Sequence, residues 1–256
     1  MCLISLAIQT HADYPLLVVA NRDEYHARPT AEATFWEQYP QLLAGRDLIA
    51  GGTWLGITRD GRFAAITNHR NPPDTPANPR SRGMLTLDFL IGTATPTQYL
   101  ADLAAEAHQY AGFNLLVGNV GEVAYFSNIE KQVRTLMPGV YSLSNGLLDS
   151  NWPKQRLARE SLSRLLQETL DHEAMAATLS DPHPAPDQQL PDTGVGLEQE
   201  RALSSAFSNV PGYGTRATTT LSISTQGEVR MREQRFAEGG LPAGVGDFSF
   251  RLGGHE

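Results

Sequence analysis

Apolar and polar positions alternate in short blocks along this chain, and in two places the spacing lengthens to that of a helix. Residues 3–8 and 15–20 are almost wholly apolar and flank His11-Ala12-Asp13-Tyr14, which predicts a β-hairpin. Facing residues in such a hairpin have numbers that sum to a constant. With Thr10 opposite Pro15, Cys2 faces Asp23; one more loop residue puts it opposite Glu24. A second hairpin is predicted from residues 53–58 and 62–67 around Asp60-Gly61, pairing Arg59 with Arg62 and Thr53 with Asn68. Pro72, Pro73, Pro76 and Pro79 then exclude regular structure. Helices are predicted over 85–91 and 98–110, the second with Leu100, Leu103, Ala104 and Ala107 on one stripe. Strands follow at 113–117 and 123–127, and at 132–136 and 140–144 around Pro138-Gly139. A helix capped by Asn151 runs to about Leu170, and a shorter one covers 173–179. Residues 181–195 are Pro-rich and polar and read as a surface loop. The last hairpin is 215–224 with 228–236 around Gln226-Gly227.

The order is strands, two helices, strands, two helices, strands, with no compositional break. This predicts a single domain over residues 1–256 of the α+β class, a four-layer αββα sandwich in which two antiparallel sheets are covered by helices on both outer faces. A two-layer α+β fold is the alternative.

Bulk properties narrow the function. The 256 residues are 41% hydrophobic and 19% charged, with a net charge of −8. That balance argues against nucleic acid and anionic membrane surfaces as partners and leaves a small-molecule substrate or ligand. No stretch approaches the roughly 18 apolar residues of a membrane helix, and no signal peptide is visible, so a cytoplasmic protein without integral membrane association is expected. One cysteine excludes an internal disulfide, and the seven histidines show no metal spacing. Gly212-Tyr213-Gly214-Thr215-Arg216-Ala217 imitates a dinucleotide fingerprint but opens a strand instead of following one into a helix. No metal and no cofactor are expected.

The lone cysteine is Cys2, directly behind Met1. Methionine aminopeptidases remove Met1 before a small residue, which would leave Cys2 with a thiol and a free α-amine. An α-amine of ordinary pKa, about 7.7–8.0, is partly neutral at physiological pH and acts as a built-in base for the thiol. The plain alternative is a small buried thiol on a first strand. The predicted hairpin brings Asn21-Arg22-Asp23-Glu24 beside Cys2, with Asn21 and Asp23 on one sheet face and Arg22 and Glu24 on the other. A carboxylate there would hold an ammonium, and an arginine would lower the thiol pKa. Asn68 and Asn145 end predicted strands, where amides serve either as oxyanion donors or as turn formers. Arg216 begins a Thr-rich strand, where it binds a carboxylate, orients the nucleophile, or lies on the surface.

Met1-Cys2-Leu3-Ile4, Asn21-Arg22-Asp23-Glu24, Arg28-Pro29-Thr30, Gly51-Gly52-Thr53-Trp54-Leu55-Gly56, Thr67-Asn68-His69-Arg70 and Ser81-Arg82-Gly83 together resemble the NRDE-motif family. That family is also called the transport and Golgi organisation protein 2 family. Gly112-Phe113-Asn114-Leu115-Leu116, Leu143-Ser144-Asn145, Trp152-Pro153-Lys154 and Tyr213-Gly214-Thr215-Arg216 continue the match in order. The segment around 181–192 is the least family-like. The resemblance implies a fold similar to N-terminal-nucleophile hydrolases, particularly the cysteine amidases that cleave bile-salt and penicillin amides. By order and setting, Cys2, Arg22, Asp23, Asn145 and Arg216 match their catalytic roles. Arg22 and Asp23 are adjacent here, whereas the amidases space that pair more widely. Asn21, Glu24, Asn68 and Trp54 are the candidate substrate-binding residues. The expected function is a cysteine hydrolase or acyltransferase acting on a linear amide or thioester. The resemblance also implies an alternative, because eukaryotic members are linked to Golgi organisation, lipid metabolism and haem trafficking: a non-catalytic carrier of haem, acyl-CoA or lipid. A third reading is a scaffold whose motif residues only stabilise strand ends.

Overall fold

All fourteen strands among the described residues are recruited into two sheets, chiefly by alternating burial, and the helices by one apolar stripe each. The computed structural model describes residues 2–253. The chain runs β1 (Cys2–Ile8), β2 (Leu16–Tyr25), β3 (Thr30–Trp36), β4 (Tyr39–Asp47), β5 (Leu55–Thr58), β6 (Phe63–Asn68), α1 (Arg82–Ile91) and α2 (Pro96–Glu106). It continues with β7 (Phe113–Gly118), β8 (Val123–Ser127), β9 (Val133–Thr135), β10 (Gly139–Leu143), α3 (Pro153–Leu165), α4 (His172–Ala177) and α5 (Leu197–Ala202). The last elements are β11 (Asn209–Val210), β12 (Tyr213–Ile223), β13 (Glu228–Phe236) and β14 (Pro242–Arg251). One antiparallel sheet has the order β10-β1-β2-β12-β13-β14, with β11 added on β12; the other runs β3 to β9 in sequence order.

Alternation along each strand decides which face meets which layer. Ile4, Leu6, Ile8, Leu16, Val18 and Ala20 point inward and pack on Leu43, Ile57, Phe63, Ala65, Leu116 and Tyr125 of the second sheet. The alternate residues Leu3, Val19, Ala7 and Leu17 point outward, where Ala158, Leu162, Leu165 of α3 and Met175 of α4 cover them. On the far side, Ala64, Ile66, Leu115, Val117 and Phe126 are covered by α1 and α2. The expected four-layer αββα sandwich is the observed architecture.

Several registers and boundaries differ from expectation. In the first hairpin Ile8 pairs with Leu16 and Cys2 with Arg22, not with Asp23 or Glu24. The amide of Gln9 bonds the carbonyl of Pro15 at 2.9 Å, and Gln9 itself has φ +49°, so the extra loop residue is taken from the first strand. In the second hairpin Leu55 pairs with Ala65 and Ile57 with Phe63, because the loop holds three residues and ends on Gly61 at φ +86°. The segments around Pro138-Gly139 part company: β9 joins β8 in one sheet and β10 joins β1 in the other. The long helix starts at Pro153 and stops at Leu165. Strands β3, β4 and β14 and the short helix α5, inside the Pro-rich region's continuation, were not expected. No helix among the described residues is long and apolar enough to cross a membrane.

Candidate active site

The hairpin register puts Cys2, Arg22 and Glu24 on the inner face of the first sheet, at the mouth between the two sheets. They open on a cleft of about 510 Å³, whose other walls include Trp54, Asn68, Asp47 and the start of α1. Asn21 and Asp23 lie on the opposite, outer face of the same strand, under residues 179–208.

The two faces have different chemistry. Arg22 is 5% exposed, stacks its guanidinium 4.3 Å over the Trp54 ring, and lies 4.0 Å from Glu24. Its Nη1 is buried and has no hydrogen-bond partner. Burial pushes its pKa down, which the neighbouring Cys2 and Glu24 oppose. On the outer face, the Asp23 carboxylate accepts a hydrogen bond from Thr215 Oγ1 at 2.8 Å. Burial pushes this carboxyl up from the ordinary aspartate range, against the pull of Lys154, Thr215 and Arg22. Lys154, in the first turn of α3, is buried and donates from Nζ to the Leu203 carbonyl at 3.0 Å. Burial lowers its pKa to about 8, with Asp23 and Cys2 acting to raise it. Cys2 is half-buried as a residue; burial raises its thiol pKa and the Asp23 charge adds to this, while the Asp23 backbone amide and Arg22 pull it back.

The remaining candidates divide between cleft and scaffold. Asn21 donates to the carbonyls of Leu179 and Ala206, both at 2.9 Å, and accepts from Thr218 Oγ1 at 2.6 Å. These bonds tie the covering segment to the outer face of the sheet, and Asn21 is not among the residues lining the Cys2 cleft. Asn68 does line the cleft. Asn145 is fully buried and donates to the Asn68 carbonyl at 2.8 Å, while its own carbonyl accepts from the Arg70 amide at 2.7 Å. Thr67 Oγ1 donates to the Ser144 carbonyl at 2.6 Å, and Ser144 Oγ donates to the Cys2 carbonyl at 2.9 Å. Together these bonds clasp the strand ends of both sheets beside the thiol. Arg216 occupies a bulge in β12 and donates to the carbonyls of Tyr25, His26 and Arg28 at 3.0–3.3 Å. It therefore shapes the loop after β2 and lines a smaller cavity of about 140 Å³ behind Arg22 and Trp54, not the Cys2 cleft.

Three site elements carried no assigned role in the sequence reading. Lys154 directly follows a helix-starting proline, but lysine is normally exposed and nothing local signals its burial. Arg28 binds Asp47 through Nε and Nη2 at 2.9 and 2.7 Å, walling the cleft. Arg82 opens α1 and reaches the same cleft. The glycines of the Gly51-Gly52-Thr53 and Arg82-Gly83 segments explain how: a Cβ on Gly52 would overlap the Gly83 backbone and stand 2.8 Å from the Met84 nitrogen. Only glycine lets the loop meet the helix start this closely. Among the described residues no group of three or more His, Cys, Asp or Glu side chains could hold a metal.

Comparison with known proteins places this geometry. The profile of the family described as Transport and Golgi organisation 2 matches residues 1–238. The Transport and Golgi organization protein 2 homolog of Homo sapiens is 35% identical over 242 residues, with 86% of each chain covered. The Bos taurus homolog is 35% identical over 241 residues with the same coverage. Among solved structures, the C2A mutant of the conjugated bile acid hydrolase from Clostridium perfringens superposes with a TM-score of 0.51 at 8% identity, covering 99% of this chain and 95% of that one. At that identity the likeness is one of fold, and the fold is that of the N-terminal-nucleophile hydrolases.

Proposed function

The chain belongs to the Transport and Golgi organisation 2 family, and from that premise we propose that it is a cysteine N-terminal-nucleophile hydrolase or acyltransferase acting on a linear amide or thioester of a small molecule. The observation that carries this reading is the placement of the sole cysteine at the start of the first strand, paired with Arg22 and lining the same cleft.

With Met1 removed, the Cys2 α-amine lies at the end of β1 beside Asp23, whose carboxylate holds and orients it. The neutral amine takes the thiol proton as Sγ attacks the substrate carbonyl carbon. In this reading Asn68, an amide that lines the cleft, donates to the resulting oxyanion, and Asn145 holds the Asn68 backbone through its carbonyl. The tetrahedral intermediate collapses with cleavage of the C–N or C–S bond, and the ammonium gives its proton to the leaving group. Water, deprotonated by the same amine, then attacks the thioester and restores the thiol; an acceptor amine or thiol in place of water gives acyl transfer. Lys154 and Thr215, behind the sheet, favour the ionised form of the Asp23 carboxyl and so oppose the upward push of its burial.

The test pairs intact mass with turnover. Untagged protein purified from a bacterial cytoplasm is expected to lack one methionine and to release amine from a panel of N-acyl substrates or thiol from thioesters. Cys2→Ala is expected to lose all turnover with an unchanged melting temperature. Retained turnover in Cys2→Ala sinks the reading, and quantitative retention of Met1 with saturable ligand binding and no turnover replaces it with the carrier.

A further inference from the structure

The walls of the Cys2 cleft are basic in a chain whose net charge is −8. Four arginines line it, Arg22, Arg28, Arg80 and Arg82. Three of them have carboxylates close by: Arg28 binds Asp47 at 2.7 Å, Arg80 binds Glu106 at 2.9 Å, and Arg22 lies 4.0 Å from Glu24. Asp23 also borders the cleft, but its carboxylate is held on the sheet's other face by Thr215. Arg82 donates to the Gly112 carbonyl at 2.9 Å and has no carboxylate within 4 Å among the described residues. Four guanidinium groups against three carboxylates leave a surplus of one positive charge, located at Arg82.

Two further features point the same way. Ser81, Arg82 and Gly83, at the N-terminus of the ten-residue helix α1, line the cleft; Ser81 makes no side-chain cap and the first turn holds no acidic residue. The positive end of the helix is therefore uncompensated where it meets the cleft. Independently, Arg22 is 95% buried on the opposite wall and its Nη1 has no partner. An unpaired buried guanidinium donor is costly, and the cost is relieved by an acceptor brought in by a ligand.

We propose that the Cys2 cleft contains an anion subsite, formed by the α1 N-terminus, Arg82 and Arg22, that receives the carboxylate of a monoanionic substrate such as an N-acyl amino acid. The single surplus charge selects a carboxylate over a phosphate dianion, and the cleft of about 510 Å³ accepts a small acylated molecule. The word substrate rests on the reading of Cys2 as nucleophile; the subsite does not, and the experiment separates them.

Because the chain has one cysteine, its alkylation reports on this cleft alone. The rate with iodoacetate is divided by the rate with iodoacetamide, and the ratio is compared with that of a cysteine peptide at the same pH and salt. Both reagents attack the same thiolate, so thiol pKa cancels. We expect a ratio at least about tenfold above the peptide's, collapsing toward it in 1 M NaCl. Arg82→Gln is expected to abolish the excess and Arg82→Lys to keep part of it. A wild-type ratio equal to or below the peptide's overturns the subsite, whether or not the variants fold. N-acetylglycine is expected to protect against iodoacetate at lower concentration than inorganic phosphate; the reverse order overturns the carboxylate assignment. A protein that selects iodoacetate but cleaves no amide or thioester keeps its subsite and loses its nucleophile reading, and an active enzyme with no selectivity does the opposite.

Discussion

Replacing Lys154 with methionine should make the protein more stable and less active at once. The Lys154 ammonium is 3% exposed, and burial brings its pKa from 10.5 to about 8. At about 1.36 kcal/mol per pKa unit, holding the charged form in the folded state costs about 3 kcal/mol. The sign follows from proton counting. Between pH 8 and 10.5 the unfolded chain binds more protons than the folded one, so stability rises with pH across that window; below pH 8 the penalty is present in full. Methionine fills a similar volume without charge and gives up the bond to the Leu203 carbonyl, worth about 1 kcal/mol. Lys154→Met is therefore expected to be about 2 kcal/mol more stable than wild type at pH 7. The advantage shrinks from pH 8, is gone near pH 10, and above that the variant is the less stable protein by up to about 1 kcal/mol. Urea unfolding of both proteins at four pH values measures this difference, in which the titrations of groups that Lys154 does not influence cancel. A variant less stable at pH 7, or a difference that does not change with pH, refutes the account. The functional cost is on Asp23: without Lys154 its buried carboxyl moves further up, so the proposed activity is expected to fall and its pH profile to shift to higher pH.

Other substitutions test other parts of the site. Asn114→Ala removes bonds to Thr67 Oγ1, the Gly146 carbonyl and the Tyr125 hydroxyl, all buried, and should cost about 3–5 kcal/mol in urea unfolding; a loss under about 1 kcal/mol would show that the clasp between the sheets is not held there. Gly52→Ala forces the loop away from Gly83 and should cost about 2 kcal/mol and erase the iodoacetate preference. Gly51→Ala, at φ +77° with no atom within 4 Å of the added carbon, should cost about 1 kcal/mol and keep that preference. Equal preferences in the two alanine variants would detach the anion subsite from the packing of α1.

What the sequence reveals about this molecule follows from how local each determinant is. The αββα layering is legible because every core strand is a short apolar run with its own turn signal, and each helix carries its own stripe. Registers are less legible, since one left-handed residue at Gln9 moves the partner of Cys2 from Asp23 to Arg22. That shift matters chemically: it places Arg22 with the thiol in the cleft and Asp23 behind the sheet with Lys154 and Thr215. Strands β3 and β4 escape notice because both are interrupted by bulges and half-exposed, which blurs the two-residue period. The adjacency of Arg22 and Asp23 looked like an obstacle to giving both a role. In the sandwich the adjacency sorts the pair by face, because Arg22 lines the cleft while the Asp23 carboxylate is held behind the sheet by Thr215. The placement of Arg82 is set by contacts remote in sequence, since its helix is seated by glycine packing between two loops about thirty residues apart. A motif read as a string shows which residues matter together. Only the register and the helix seat show that Cys2, Arg22 and Arg82 share a cleft while Asn21, Asn145 and Arg216 hold its walls.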